Sequence, residues 1–310
     1  MIHVRPNSED ALQDIGRALG LARRVLVVTG AGTSAAAGLP DRRSEGGLYA
    51  KGDIFCAAAL AKPRRMDVLQ SALRLHRIAS GCEPTKTHRL IRRMRDSGRL
   101  LRCYTSNVDW LDAETGLSTD LRGATVDCVP LHGSVRSLQC PVCRDIVDWD
   151  KQLEETVVAG QEPLCQRCLS AEARLRPNIF YVGDEHRLGE VADFIYRDRC
   201  ARPDLLLVLG ASLKIGASRD LVKRFAAAVR ANGGTVIHVN PSKASGPDWD
   251  SLIDYWVEWD CDSCAEHLSR RERLSQTPCR EAERVGGSGG ADAEHSEGRA
   301  GPEALNRAPQ

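Results

Sequence analysis

Four short apolar runs constrain this chain more than any other feature. They are Val25–Thr29, Leu100–Thr105, Leu205–Gly210 and Thr235–Asn240, and each is continuous rather than alternating. A strand covered on one face alternates, so continuity predicts strands buried on both faces, as in a parallel sheet. Between the last two runs, Ser218–Ala231 repeats apolar residues at helical spacing, with Leu221, Val222, Phe225, Ala228 and Val229 on one side. Ser218 or Asp220 can cap its start, and Asn232-Gly233-Gly234 stops it. Leu205–Asn240 thus reads as strand, helix, strand, a unit whose two strands lie parallel. The fold class expected is α/β, with helices on both faces of the sheet and a ligand crevice at the strands' C-terminal ends.

The first strand runs straight into Thr29-Gly30-Ala31-Gly32-Thr33-Ser34-Ala35. A Gly-x-Gly-x-x-Ala turn after a buried strand is the pattern of a phosphate-binding loop that opens a helix. Gly30 permits the tight turn, Gly32 lets backbone approach a pyrophosphate, and the small Ala35 allows close contact between helix and strand. The same spacing also suits a tight turn that binds nothing. An acidic residue that reads the ribose is expected about 20 residues on. Asp53 has that offset, but no strand leads into it, which argues against a hydride-transferring dehydrogenase. Other polar residues at strand ends point into the same crevice. Tyr104-Thr105-Ser106-Asn107-Val108-Asp109 closes the second run, and Leu131-His132-Gly133 follows.

The 310 residues include 12 cysteines. Met1–Asp10 is polar and lacks the apolar segment of an export signal, so reduced thiols or metal ligands are expected rather than disulfides. Cys140-Pro-Val-Cys143 and Cys165-Gln-Arg-Cys168 are two C-x-x-C knuckles with 21 residues between them. They can bring four thiolates around one tetrahedral Zn²⁺, and four protein ligands leave no open position, so such a zinc is structural. Cys261-Asp-Ser-Cys264 has no partner pair nearby and reads as packing or loop cysteines. A net charge of +1 gives no general attraction to nucleic acid or anionic membrane. No apolar run approaches the roughly 20 residues of a membrane span. The basic runs Arg42–Arg43 and Arg89–Arg99 read as solvated faces. From Arg270 to Gln310 large apolar residues nearly vanish, and a disordered tail is expected.

Together these segments resemble the sirtuin family of NAD-dependent protein deacylases. The resemblance runs in unbroken order through Gly30 to Asp41, Tyr104 to Asp109, Leu131-His132-Gly133, the four cysteines, Gly210-Ala211-Ser212-Leu213 and Val239-Asn240-Pro241. It implies a catalytic domain over residues 1–268 and a tail over 269–310. Within the domain it implies a Rossmann-like core (about 20–40, 98–135 and 200–262), a helical insertion (about 41–90) covering the crevice, and a small zinc module (about 136–178). Leu175–Asn178, Arg202–Leu209 and Cys128–Ser134 are most similar to the fungal branch that deacetylates a lysine in the core of histone H3. The resemblance therefore implies an acetylated protein, first of all histone H3, as partner, and a nuclear location. It implies no sequence-specific contact with nucleic acid and no membrane.

In sirtuins NAD is consumed. The acyl-lysine oxygen displaces nicotinamide, a histidine acts as general base, and the acyl group moves to the ribose. The resemblance gives the base role to His132, whose ordinary pKa of about 6.5 suits proton transfer at neutral pH. It gives Asn107 the ribose and Val108 with Asp109 the nicotinamide carboxamide, so the expected catalytic residues are His132, Asn107 and Asp109. Gly30, Ala31, Gly32, Ser34, Ala35, Asp41, Arg43 and Ser106 would line phosphate and ribose. Gly210, Ser212, Asn240 and the backbone at Cys261 would hold the adenosine half. Phe180 and Val182-Gly183-Asp184 would take the substrate peptide as an added strand. Four positions depart from the family pattern: Arg42 replaces an aromatic residue, Ser106 a glutamine, Ala211 a threonine and Val182 a phenylalanine. A cation beside a developing oxocarbenium is unfavourable unless it turns toward phosphate or solvent. A weakened NAD-binding or chromatin-interaction protein is thus the alternative, and ADP-ribosyl transfer a third reading.

Overall fold

The computed structural model describes residues 1–39, 64–168, 170, 172–181, 185–214, 217–246 and 248–276. Ten strands occur among them: β1 (Ile2–Val4), β2 (Val25–Thr29), β3 (Leu100–Thr105), β4 (Cys128–Pro130), β5 (Gly133–Gln139), β6 (Ile146–Asp148), β7 (Arg176–Ile179), β8 (Leu205–Leu209), β9 (Thr235–Val239) and β10 (Tyr255–Val257). The helices are α1 (Glu9–Leu21), α2 (Arg65–Ser80), α3 (Lys86–Asp96), α4 (Leu111–Glu114), α5 (Lys151–Val158), α6 (Glu185–Cys200), α7 (Ala217–Ala231), α8 (Trp249–Leu252) and α9 (Cys261–Gln276).

Seven strands form one sheet in the order β1-β10-β9-β8-β2-β3-β4, with every neighbouring pair parallel. From β2 the chain steps outward through β3 to β4, then crosses back and steps the other way from β8 through β9 to β10. Its direction of travel therefore reverses between β2 and β8, where an open α/β sheet opens its ligand crevice.

The two sheet faces divide the apolar residues by alternation. Val25, Val27, Leu205, Leu207 and Ile237 pack with residues of α1, α3 and α9. Leu26, Val28, Leu206, Val208 and Val236 pack with residues of α6 and α7. Every residue of β2 and β8 is buried, which is why both read as unbroken apolar runs. Each Val, Leu or Phe so buried contributes about 1.5–3 kcal/mol relative to exposure. On α9, Cys261, Cys264, Ala265 and Leu268 face this core at helical spacing, so the third cysteine pair is packing. Burial pushes the Cys264 thiol up to about 12. The helix continues to Gln276, beyond residue 268, where the sequence alone suggests that the domain ends. The expected tail from 277 onward lies outside the described residues. The basic run Arg89–Arg99 lies on and just after α3, with Arg89 paired to Glu83, Arg92 to Asp96 and Arg95 to Asp127.

A smaller antiparallel sheet, β6-β5-β7, carries the knuckles beside α5. Asp150 caps α5 by accepting the Leu153 N–H at 2.7 Å. Leu69 and Leu73 of α2 pack with Leu138, Val157 and Leu175 of this module. On its next stripe Val68, Ala72 and Leu75 pack with Val108, Leu111 and Val135. The helix thus ties the module to the segment that follows β3. Among the described residues, no helix is long and apolar enough to cross a membrane.

Candidate active site

The C-terminal ends of adjacent strands carry nearly every residue singled out above. Gly30 follows β2, Ser106 to Asp109 follow β3, Leu131 and His132 follow β4, Gly210 follows β8, and Asn240 follows β9. At the reversal point three glycines close on one another. Gly30 N–H donates to the Leu209 carbonyl at 2.9 Å, and Gly32 N–H to the Gly210 carbonyl at 3.0 Å. A Cβ on Gly32 would lie 2.7 Å from Gly210 Cα, and one on Gly30 would lie 2.7 Å from the Gly210 oxygen. Gly210 itself is left-handed at φ +64°, and a Cβ there would meet Thr33 N at 2.6 Å. The glycine pattern is therefore required by backbone crossing backbone. The Gly32 N–H, at the position expected from sequence to let backbone approach a pyrophosphate, donates to Gly210. No α-helix opens at this loop either. Ala31–Thr33 and Ala35–Ala37 form two single 3-10 turns, stopped by left-handed Gly38 at φ +84°. The Thr33 hydroxyl, donating back to the Gly30 carbonyl at 2.9 Å, favours the tighter turn.

Asn107 is bound into this loop from above. Its Nδ2 lies 3.2 Å from the Gly30 oxygen, 3.0 Å from Thr33 Oγ1 and 3.2 Å from Ser34 Oγ. A carbonyl oxygen can only accept, so the amide must present its nitrogen here. Ser106 Oγ lies 2.7 Å from Ser218 Oγ, joining the end of β3 to the start of α7. Val108 is buried, and its carbonyl accepts the Val135 N–H at 2.9 Å. Asp109 is buried beneath the loop, where desolvation pushes its carboxyl up while a hydrogen bond with Ser34 pulls the other way. The Leu111 N–H also donates to Asp109 Oδ1 at 3.2 Å.

Behind Asp109 lies a contact that the sequence reading missed. Thr85 donates its hydroxyl to the Thr33 carbonyl at 2.9 Å, and its N–H to Nδ1 of fully buried His88 at 3.2 Å. His88 is held below its ordinary pKa by burial, opposed by the nearby Asp109. The available signal was Thr85 three residues before His88 at the start of α3, a capping box with histidine in the usual glutamate position.

His132 is half-buried, and its carbonyl accepts the Phe180 N–H at 2.9 Å. Gly133 allows this approach: it is left-handed at φ +74°, and a Cβ would meet the Asn178 oxygen at 2.4 Å. The Leu131 N–H donates to the Thr105 carbonyl at 2.8 Å, so His132 and Asn107 emerge from neighbouring strand ends. Phe180 packs part-buried against the α7 face of the core. On the other half, Asn240 Nδ2 donates to the Ser242 carbonyl at 2.8 Å and to its hydroxyl at 2.9 Å. Ser212 is exposed, and Cys261 is buried with its thiol pushed up by desolvation. Asp41, Arg42, Arg43, Asp53, Val182, Gly183 and Asp184 lie outside the described residues.

The knuckles converge. Cys140 Sγ lies 3.7 Å from Cys168 Sγ, and Cys143 Sγ lies 3.8 Å from Cys165 Sγ. Tetrahedral zinc with Zn–S bonds of about 2.3 Å requires sulfur–sulfur edges of about 3.8 Å. Although burial raises the Cys140 thiol, the N–H groups of Cys143 and Val142 bring it down to about 7, which suits a thiolate donor. The four sulfurs fit a structural zinc, and among the described residues Cys261 with Cys264 belongs to no such cluster.

The Sir2 family pattern matches residues 30–217. The chain belongs to the Sir2, or sirtuin, family. The NAD-dependent histone deacetylase HST3 of Saccharomyces cerevisiae is 31% identical over 306 residues, covering 84% of this chain and 68% of that protein. HST3 of Candida albicans is 29% identical over 298 residues, with 83% and 61% covered. The histone deacetylase HST4 of S. cerevisiae is 32% identical over 279 residues, with 80% and 75% covered. This sirtuin thus spans 61–75% of the length of these relatives, and its resemblance to the fungal branch holds. A solved Sir2 homologue bound to NAD shares the fold with a TM-score of 0.70 at 22% identity, covering 89% of this chain and 98% of that one.

Proposed function

We propose that this sirtuin is an NAD-dependent protein-lysine deacetylase acting on a histone, with histone H3 the first candidate and the nucleus its place of action. One observation carries the reading: Asn107 and His132 leave neighbouring strand ends beside the glycine loop, and Asp109 lies buried beneath it. NAD would supply the electrophilic ribose carbon and the nicotinamide leaving group. Asn107, fixed through Nδ2, would hold its side-chain oxygen toward the ribose. Asp109, buried and hydrogen-bonded, would accept from the carboxamide, with Val108 beside it. His132 would take the proton from a ribose hydroxyl, a task suited to imidazole near neutral pH. Asn240, Ser212 and the Cys261 backbone would hold the adenosine half, and Asp41 and Arg43 the phosphates. Phe180 with Val182, Gly183 and Asp184 would receive the peptide strand. The structural zinc would hold the module that carries β7, and so Phe180, in register with His132.

Incubation with NAD and an acetylated histone H3 core peptide should release nicotinamide and shift the peptide by one acetyl group. NAD binding without either product would overturn this reading in favour of a second one, a non-catalytic NAD-binding sirtuin. The pairing of Ser106 with Ser218 favours that second reading, because it commits to the scaffold a side chain that the family uses, as glutamine, toward the ribose.

A further inference from the structure

Beneath the floor of the site lies a second group of metal-ligating side chains, separate from the knuckles. Cys103 of β3 and Cys128 of β4 are register neighbours, so their side chains leave the same face of adjacent strands. Both are fully buried, and Asp112 from α4 is buried beside them. One ligand atom from each of the three lies within 4.8 Å of the others. Among the described residues only the four knuckle cysteines form another such group.

Two oxygens here lack partners. Asp112 Oδ1 is buried without a hydrogen bond, while the Thr105 hydroxyl bonds the same carboxylate. The Thr29 hydroxyl faces the Cys103 sulfur but makes no hydrogen bond of ordinary geometry. Native folds rarely leave buried polar atoms unsatisfied, and an unplaced ion is one standard cause.

We propose that Cys103, Cys128, Asp112 and Thr29 form a second zinc site, structural and sealed inside the core. Two thiolates and a carboxylate are donors that zinc takes, and the Thr29 hydroxyl would fill the fourth position as a neutral oxygen. Zn–S bonds of about 2.3 Å require edges of about 3.8 Å, so the cluster would contract by up to about 1 Å on loading. Binding displaces the proton of each thiol, and that of the carboxyl where it is protonated, leaving two thiolates and a carboxylate on Zn²⁺. The cluster has full burial on every ligand, so the ion would enter during folding. Its occupancy would reach the site above, because the Thr105 hydroxyl that bonds Asp112 also accepts the Asn107 N–H at 3.1 Å.

The test is metal content. Protein refolded in Zn²⁺ and freed of loose metal by gel filtration should hold two zinc ions per chain by mass spectrometry. Cys103→Ser with Cys128→Ser should hold one. Cobalt in place of zinc should give a thiolate charge-transfer band about a third weaker in that double variant, since six thiolates become four. If the double variant fails to fold, Asp112→Asn and Thr29→Val, which keep every cysteine and nearly the same volume, should each lower retention toward one equivalent against a chelator. One zinc per chain in the refolded wild type would overturn the proposal. So would two equivalents that all the variants keep.

Discussion

The closure of three glycines at the reversal point makes a quantitative expectation. In Gly32→Ala the new Cβ would sit 2.7 Å from Gly210 Cα, where ordinary contact starts at 3.4 Å. The loop and the end of β8 must then part by about 0.7 Å, with backbone on both sides and no flexible side chain to yield. Overpacking of this kind costs about 1–3 kcal/mol, and for a domain of this size each kcal/mol lowers Tm by about 2–4 °C. The larger effect should be on function, since a misplacement of about 1 Å at a reacting centre can cost about 100-fold in rate. Gly38→Ala is the control. Its φ is +84° with no atom within 4 Å, so it should lose only the left-handed penalty of about 1–2 kcal/mol and keep its NAD affinity. Gly210→Ala combines both faults and should be the worst of the three. Calorimetric unfolding and titration with NAD would separate stability from binding. If Gly32→Ala binds NAD as well as Gly38→Ala does, the loop is not set by contact with Gly210, and the reasoning fails.

Three further outcomes are expected. His132→Ala should abolish deacetylation while leaving the stability within about 1 kcal/mol of wild type; a matching loss of fold would point to a structural role. Cys140→Ser should release the knuckle zinc and lower stability, since structural zinc binding is itself folding free energy, as zinc content and thermal melts would report. The buried histidines should subtract stability as pH drops below about 6.5, against an opposite contribution from Asp109 and Asp112, whose carboxyls burial raises. His88 and His238 are both held below their ordinary pKa by burial, so the unfolded chain takes up protons that the folded one refuses, and stability present above the unfolded pKa is lost on acidification. Denaturant melts of His238→Asn should show a flatter slope in that window, and an unchanged slope would exclude this residue as a source.

The core strands are legible because β2, β3, β8 and β9 are apolar on both faces and long enough to show it. β1, β4 and β10 are three residues each; β1 and β10 hold His3 and Trp256, stacked at 4.2 Å, so no apolar run marks them. The knuckles are legible because zinc geometry dictates the C-x-x-C spacing. The glycine pattern is legible as a site, yet it does not encode whether helix or 3-10 turn follows, because that depends on Gly210, far along the chain. Cys103 and Cys128 give no sequence signal, since only strand register makes them neighbours. The same holds for Asp262, which accepts the Thr87 N–H at 2.9 Å and caps α3 from the start of α9.

These contacts decide which substitution can report on chemistry. Asn107 serves two purposes at once: the two N–H donors of its amide are shared among the Gly30, Thr33 and Ser34 oxygens of the glycine loop, and only the oxygen end is available to a substrate. Removing it takes away the contacts to the Thr33 and Ser34 hydroxyls, although the Gly30 carbonyl keeps the Thr33 N–H and hydroxyl as donors, and it loosens the loop in the same act. Asp109 has the same difficulty, because its carboxylate accepts from Ser34 and Leu111. His132 differs. Its backbone bond to Phe180 survives any change of side chain, and the left-handed turn beside it belongs to Gly133. Loss of activity at His132 with the fold intact is therefore evidence about proton transfer, whereas the same loss at Asn107 or Asp109 mixes chemistry with the shape of the loop.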